Sequence, residues 1–441
     1  MTWTLSREAI STRQQKIATL ARQAPERVLT TLAHHIDHEW MAKAYQRTRK
    51  DGAMGVDGVT AAQYEQQLEA NLDDLLSRFK TGRYRAPPAR RVHIPKGRRG
   101  ETRPLGIPTL EDKVLQRAVL MALEPIFEQD FLDCSWGFRP GRGPHQAVEA
   151  LWQGLMKLGG GWVIDLDIRR YFETIDHRQL RAMLDQRVRD GVIRRALGKW
   201  LNAGVMESGI VEYPEAGTPQ GGVISPLLSN IYLHEVLDKW FEHVVKPRLS
   251  GRAQIVRFAD DAVLAFEHER DAHRVMAVLD KRFARFGLTL HPDKTRLVDF
   301  RPPSASSDRS SSFDLLGFTH YWGRSRKGRW VIKRKTAKSR FARAVQSINQ
   351  WCRSHRHDPI DEQHAGLTRR LRGHYAYYGI TGNGRALARL QRQAERCWRK
   401  WLDRRSNRSR MNWDRFCLVL ALYPLPPPRV VHSVYRRAAM P

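Results

Sequence analysis

The sequence predicts an α+β fold, a strand-bearing body followed by a basic helical region, and three observations point to it. The stretch Arg257–Phe266, with Ala253–Val256 in front, has two apolar, β-prone runs flanking Asp260 and Asp261. It reads as a β-hairpin with both carboxylates at its tip. Trp162–Ile168 reads as another strand, whose period of two sets Asp165 and Asp167 on one side and Trp162, Ile164 and Leu166 on the other. Beyond Arg340, apolar residues recur at i, i+3 and i+4 in three stretches: Phe341, Val345, Ile348 and Cys352; Leu367, Leu371, Tyr375 and Tyr378; Leu387, Leu390, Ala394, Trp398 and Trp401. That spacing predicts three amphipathic helices.

Charge bounds the partner. The 441 residues carry a net charge of +30, and residues 301–441 hold 31 of the 76 Lys and Arg but only 8 of the 46 Asp and Glu. Such a surplus calls for a polyanion, and Arg interleaved with Trp and Tyr suits nucleic acid better than a membrane surface. No apolar run approaches a membrane span and the N-terminus has no signal-peptide core. Cys134, Cys352, Cys397 and Cys417 are scattered without a CxxC pair. This argues against a zinc site or a disulfide framework and fits a reducing compartment, bacterial cytoplasm being the default and an organelle the alternative.

In chain order, residues 1–50 read as helical, with His34, His35 and His38 as a solvated or RNA-facing cluster. Gly55–Thr60 is a glycine-punctuated turn leading into a helix near Ala61–Phe79. Residues 90–108 read as a strand, a basic glycine turn and a second strand. That turn is either a solvated tip or a cationic finger that folds over a triphosphate, with Lys96 and Arg103 nearest to it. A helix over 111–128 buries Val114, Leu115, Ala118, Val119, Ala122 and Ile126. Ser135–Gly143 is an aromatic, basic loop whose glycines permit close approach to a nucleic-acid backbone. Asp176 and His177 read as a helix cap. Gly217–Pro226 is a turn on which a base pair could lie, with Gln220 free to hydrogen-bond, running into a helix from about Leu227 to Phe241. A Ser-rich break spans Ser304–Ser312, Phe313–Phe318 reads as a final strand or hairpin, Arg324–Arg340 is very basic, and the chain after Pro424 reads as an extended arm.

The acids carry the chemistry. Asp260 and Asp261 repel each other, so their pairing is tolerable when solvated or when it binds a cation, and a hard cation such as Mg²⁺ prefers oxygen ligands. A carboxylate on a mostly apolar strand needs a partner. Paired with Asp260 across a sheet, an acid of the 162–168 strand could complete a two-metal site, with Asp165 and Asp167 as competitors.

Taken together, Gly55-Val56-Asp57-Gly58, Gly137-Phe138-Arg139-Pro140-Gly141-Arg142, Pro219-Gln220-Gly221-Gly222, Phe258-Ala259-Asp260-Asp261, and Leu371-Arg372-Gly373 with Tyr377-Tyr378-Gly379 resemble the group II intron-encoded reverse transcriptases, or maturases, over nearly the whole chain. The resemblance implies a right-hand polymerase fold of fingers, palm and thumb. It implies an N-terminal extension over 1–50, fingers and palm over 51–322, a helical thumb or maturase domain over 323–410, and a C-terminal arm over 411–441 that could bind DNA. Asp167, Asp260 and Asp261 would be the catalytic acids and would hold Mg²⁺ together with the backbone of Ile168. Lys96 and Arg103 would hold the triphosphate, Phe172 would hinder a ribose 2′-hydroxyl, and Gln220 would lie against the nascent pair. Phe258 stands where the family often has Tyr. The implied partners are group II intron RNA or another structured RNA template, a DNA primer or target, and dNTPs, with no membrane. Many relatives carry a C-terminal Cys-rich nuclease domain, and its absence here predicts no DNA cleavage.

The leading expectation is an RNA-directed DNA polymerase that also binds structured intron RNA and assists splicing. The alternatives are an RNA-binding splicing cofactor with a vestigial polymerase site and a domesticated reverse transcriptase in defence or repair.

Overall fold

The structure, a computed structural model, describes residues 7–95, 102–207, 209–213, 216–218, 221–303, 311–406 and 410–433, the side chains of 7–9 excepted. Lys96 with its basic turn, Gln220, and most of the Ser-rich break (304–310) lie outside the described residues. The chain divides into two compact units: Met1–Leu151 with Trp162–Leu297, and Trp152–Gly161 with Val298–Pro441.

Helices α1 (Arg7–Gln23), α2 (His38–Arg47), α3 (Ala61–Glu65) and α4 (Leu68–Thr81) precede the strands β1 (Ala89–Pro95) and β2 (Thr102–Ile107). Then come α5 (Leu110–Asp130), α6 (Pro144–Leu158), β3 (Trp162–Leu166), α7 (Tyr171–Thr174), α8 (His177–Asp185), α9 (Gly191–Leu201), β4 (Val205–Glu207) and β5 (Ile210–Glu212). Helix α10 (Ser225–Leu233), the hairpin β6 (Ala253–Phe258) and β7 (Asp261–Phe266), α11 (Glu269–Ala284) and β8 (Arg296–Asp299) follow. One sheet has the order β2-β1-β4-β5 and another β6-β7-β3-β8.

Helix α5 is the hydrophobic axis of the first unit. Thr109 caps it by accepting from the Asp112 amide, and Val114, Leu115, Ala118, Val119, Ala122 and Ile126 are all fully buried. Each large aliphatic among them contributes ~1.5–3 kcal/mol of burial. Gly55 fits against the cap: a Cβ there would stand 2.5 Å from Thr109 Cα. Asp176 caps α8 as the sequence predicts, accepting from the Gln179 amide.

Two helices differ from expectation. The helix expected over Ala61–Phe79 breaks between α3 and α4. The helix expected over 227–241 leaves α-geometry after Leu233 and continues as wider π-turns over His234–Asp238 and Trp240–Val245. Such widenings cluster at functional sites, and here the stretch carries Asp238 into the core at 0% exposure.

The second unit holds a sheet of order β11-β10-β9, from β9 (Ser312–Leu315), β10 (Phe318–Arg324) and β11 (Trp330–Thr336), followed by α12 (Lys338–Ser354), α13 (Ile360–Tyr378), α14 (Gly384–Leu402) and α15 (Trp413–Leu422). Helices α12–α14 are the three that the spacing predicts, and Ile348, Leu367, Leu371, Leu387, Leu390 and Trp398 form their core. Leu316 and Gly317 turn through positive φ, Tyr377 donates to the Leu316 carbonyl, and Phe318 stacks on Tyr377. Gly379 takes two backbone bonds on its carbonyl, from Val431 and His432. The motif Tyr377-Tyr378-Gly379 therefore packs a β-turn and seats the C-terminal segment.

Candidate active site

The site begins with strand register. β3 and β7 pair antiparallel up to Leu166 opposite Ala262, so the next residues on the two strands are Asp167 and Asp261. β6 and β7 pair up to Phe258 opposite Asp261, which leaves Ala259-Asp260 as a two-residue loop. Three carboxylates therefore stand at one end of this sheet. Asp165 lies opposite Val263, two residues farther from the tip, about 7 Å along the strand. Ile168 faces Leu290 between two bonds, Arg169 N–H to the Thr289 carbonyl and His291 N–H to the Asp167 carbonyl. In such a pair the backbone groups of the facing residue point away from the partner strand, so the Ile168 carbonyl is turned off the 289–291 segment.

The loop is strained and clamped. Ala259 has φ 55°, in the left-handed region, which costs an L-residue ~1–2 kcal/mol. The clamp is Arg257, fully buried and fully used. Its Nε and Nη2 donate to the two Asp238 oxygens at 2.7 and 2.6 Å. Its Nη1 donates to Asn230 Oδ1 and to the Ala259 carbonyl, both at 3.0 Å, and Nη2 also donates to Ser135 Oγ at 2.7 Å. All five guanidinium N–H groups have acceptors. Burial opposes ionisation of Asp238, but Arg257 outweighs it and holds the carboxyl below the usual range. The backbone of Arg257 is engaged as well, donating to the Cys134 carbonyl and accepting from Trp136 N–H. Asn230 Nδ2 donates to the Gly137 carbonyl at 2.7 Å. Gly137 has no room for a side chain: a Cβ would stand 2.4 Å from the Ala259 nitrogen.

Two cations face the acids of β3. Lys294 Nζ lies 3.4 Å from Asp167 Oδ2, and Arg296 Nε 3.4 Å from Asp165 Oδ2. Among the described residues no three His, Cys, Asp or Glu side chains converge as a ready metal cage. Mg²⁺ is ordinarily held by one or two carboxylates, with waters and substrate phosphates completing the shell. The all-oxygen donor set at the tip, beside a lysine already drawn to Asp167, fits that mode of binding.

A second group of residues gathers at the 217–221 turn. Thr218 N–H donates to the Phe172 carbonyl at 2.7 Å, and Gly217 N–H to Ile175. On the other side, a Cβ on Gly221 would lie 2.4 Å from the Gly106 carbonyl of β2. Gly217 and Thr218 are thus held against α7 and its C-terminal end, and Gly221 lies against the strand that carries Arg103. Arg103 is exposed and lies opposite Ile94, one step from the Pro95–Thr102 pair that closes the ladder. Phe172 is half-buried against Tyr171, their centroids 5.4 Å apart, and helps line a cavity of about 240 Å³ with Glu173, Arg91, Pro104, Gly217 and Thr218. Below the turn, Gln116 Oε1 accepts from Ile224 N–H and its amide donates to Asp112. Burial pushes the Asp112 carboxyl up to about 6, against hydrogen bonds from Tyr84 and Trp200.

Residues 94–320, just over half of the chain, match the family described as reverse transcriptase (RNA-dependent DNA polymerase). The chain belongs to the reverse transcriptase family. Among curated relatives, it is 42% identical to protein YkfC of Escherichia coli (strain K12) over 253 residues, 56% of this chain and 65% of YkfC. It is 37% identical to the group II intron-encoded protein LtrA of Lactococcus lactis subsp. cremoris over 198 residues, 45% of this chain and 32% of LtrA. It is 33% identical to an uncharacterized 91 kDa protein in the cob intron of Schizosaccharomyces pombe over 201 residues, 46% of this chain and 24% of that protein. The matches thus span less than two thirds of each relative. The reverse transcriptase match includes β3, the 217–221 turn and the Asp260–Asp261 hairpin.

The second unit of this reverse transcriptase family chain presents a basic face. Arg385, Arg389, Arg392, Arg396 and Lys400 are all exposed and follow a helical stripe along α14. Arg389 lies over the Phe341 ring at 4.5 Å, and Lys400 over Trp401 at 5.3 Å. Between α12 and α14 lies a groove of about 610 Å³ lined by Phe341, Val345, Asn349, Arg389, Arg396 and Lys400. Among the described residues no helix is long and apolar enough to cross a membrane.

Sequence reasoning missed part of the site. Lys294, Arg296, Ser135, Asn230, Asp238 and the clamping role of Arg257 carried no assignment. Asp238 offered little signal, because Glu235 and Lys239 lie on the same helix and nothing in the local sequence marks Asp238 as the buried one.

Proposed function

We propose that this chain is an RNA-directed DNA polymerase, with fingers, palm and thumb, that also binds structured intron RNA and assists its splicing. The observation that carries the reading is the strand register, which puts Asp167, Asp260 and Asp261 at the same end of the β6-β7-β3 ladder. The three acids and the Ile168 carbonyl would hold Mg²⁺. Bound there, Mg²⁺ supplies activation of the primer 3′-oxygen and neutralisation of the leaving pyrophosphate.

The chain's own residues orient the reactants. Arg103, beside the pair that closes the β1–β2 ladder, would draw the triphosphate together with Lys96. Phe172 faces the sugar and blocks a 2′-hydroxyl. Gln220 would contact the new base pair. Positioning and charge neutralisation carry most of such a transfer, so no side-chain acid–base pair is required. The stripe on α14 follows the phosphates of a structured RNA or of the template–primer duplex. The group II intron proteins among the relatives support intron RNA as that partner.

The test is primer extension on an RNA template with dNTPs and Mg²⁺. Wild type extends the primer, and Phe172→Ala incorporates ribonucleotides more readily. Unchanged ribonucleotide incorporation would remove Phe172 from the gate, and no extension by wild type would overturn the polymerase reading.

A further inference from the structure

We propose that Phe138 is a contact for the primer terminus: an exposed ring held beside the Ala259-Asp260 loop, against which the last sugar and base of the primer strand pack. The proposal rests on the polymerase reading, which brings the primer 3′-end to this loop.

Phe138 combines three properties. It is 55% exposed. Its backbone is in the left-handed region, with φ 57°, where a bulky side chain is a genuine outlier. Its position is nevertheless fixed from both sides. On one side Gly137 sits tight against the Ala259 nitrogen and accepts from Asn230. On the other, Arg139 is 6% exposed, donates to Glu128 at 3.0 Å, and binds the Leu132 and Ser135 carbonyls at 2.8 and 3.0 Å. Arg142 adds an ion pair to Asp133 at 2.6 Å. The segment on both sides of the ring is therefore rigid, and the ring is held outward by it.

A lone exposed apolar side chain is ordinary and needs no explanation. A strained and doubly anchored one beside a catalytic loop is different, because such strain persists only where the surroundings over-determine it. The ring centroid lies 6.5 Å from that of Phe258, the residue just before the loop. The two rings form an apolar shelf at the carboxylate end of the hairpin. An apolar shelf suits a nucleotide's sugar edge and base face and is blind to sequence, since every base has a π-face. A polymerase that copies any template needs that tolerance at the primer end.

The experiment uses the full chain and an RNA template–DNA primer duplex carrying 2-aminopurine as the primer's last base. Wild type, Phe138→Gly and Phe138→Trp are compared for duplex affinity and fluorescence without metal, for extension with Mg²⁺, and for melting temperature. Phe138→Gly binds about tenfold more weakly, leaves the terminal 2-aminopurine brighter, and extends more slowly. It melts at or above wild type, because glycine adopts positive φ without penalty. Phe138→Trp keeps affinity and quenching. Wild-type affinity and fluorescence in Phe138→Gly would overturn the proposal. So would a response only from a probe in the template strand, or a lowered melting temperature that accounts for the weaker binding. Wild type that binds and quenches without extending would sink the polymerase reading and with it the primer-terminus role, whereas wild type that extends beside an unaffected Phe138→Gly would overturn the role of Phe138 alone.

Discussion

Charge is used in opposite ways in the two units. Beneath the hairpin tip, Arg257 and Asp238 are both at 0% exposure, and every guanidinium proton has an acceptor. Along α14, Arg385, Arg389, Arg392, Arg396 and Lys400 are all exposed. Arg257 of the buried pair also holds one backbone carbonyl, that of Ala259, by a 3.0 Å bond. The exposed stripe fixes nothing and raises local affinity for phosphate. On the proposed function the first arrangement would serve chemistry, where a small displacement of a carboxylate is expensive in rate. The second serves capture, where tolerance is useful.

The largest effect follows from breaking the buried pair. Arg257→Met leaves Asp238 in the core with only His234 Nδ1, 3.9 Å away, beside it, and should cost about 3–5 kcal/mol of stability in a denaturant titration. Arg257→Met with Asp238→Leu removes both charges and should recover most of that loss. Primer extension should stay low in the double variant, because the Ala259 carbonyl no longer has its donor. Recovery of extension together with stability would make the network structural only.

The exposed stripe should respond more gently. Replacing Arg389, Arg392 and Arg396 with Gln should leave folding stability within about 0.5 kcal/mol per site. RNA affinity should fall for all sequences alike, and the slope of log affinity against log salt should flatten by about 0.7–0.9 for each phosphate that is no longer neutralised. A slope equal to that of wild type would put the main RNA surface elsewhere.

The same contrast explains what could be read from the sequence. The hairpin tip was legible because apolar, β-prone runs on both sides isolate Asp260-Asp261 as the polar turn between two strands. The three helices α12–α14 were legible from their i, i+3 and i+4 cores. The β10–β11 hairpin was not, because Arg334 occupies an inward position of β11 at 6% exposure and spoils the alternation. α15 was missed although Asn412 caps it and Pro424 follows its end; its apolar residues Leu418 and Leu422 are exposed and so show no one-sided pattern. The clamp was out of reach for another reason. Arg257 draws partners from Ser135, Asn230 and Asp238, up to 122 residues away, and no local pattern reports such a meeting. Gly137 reads in the sequence as room for a nucleic-acid backbone, whereas in the structure the close approach is to the Ala259 nitrogen.

The central claim is that the tip carboxylates perform nucleotidyl transfer and do not merely shape the fold. It is tested most directly by primer extension on an RNA template with Mg²⁺ and dNTPs, wild type beside Asp260→Asn, with RNA affinity measured on the same preparations. The account predicts that Asp260→Asn abolishes extension while RNA affinity stays within a few-fold of wild type. Extension retained by Asp260→Asn, or an equal loss of extension and RNA binding, would contradict it.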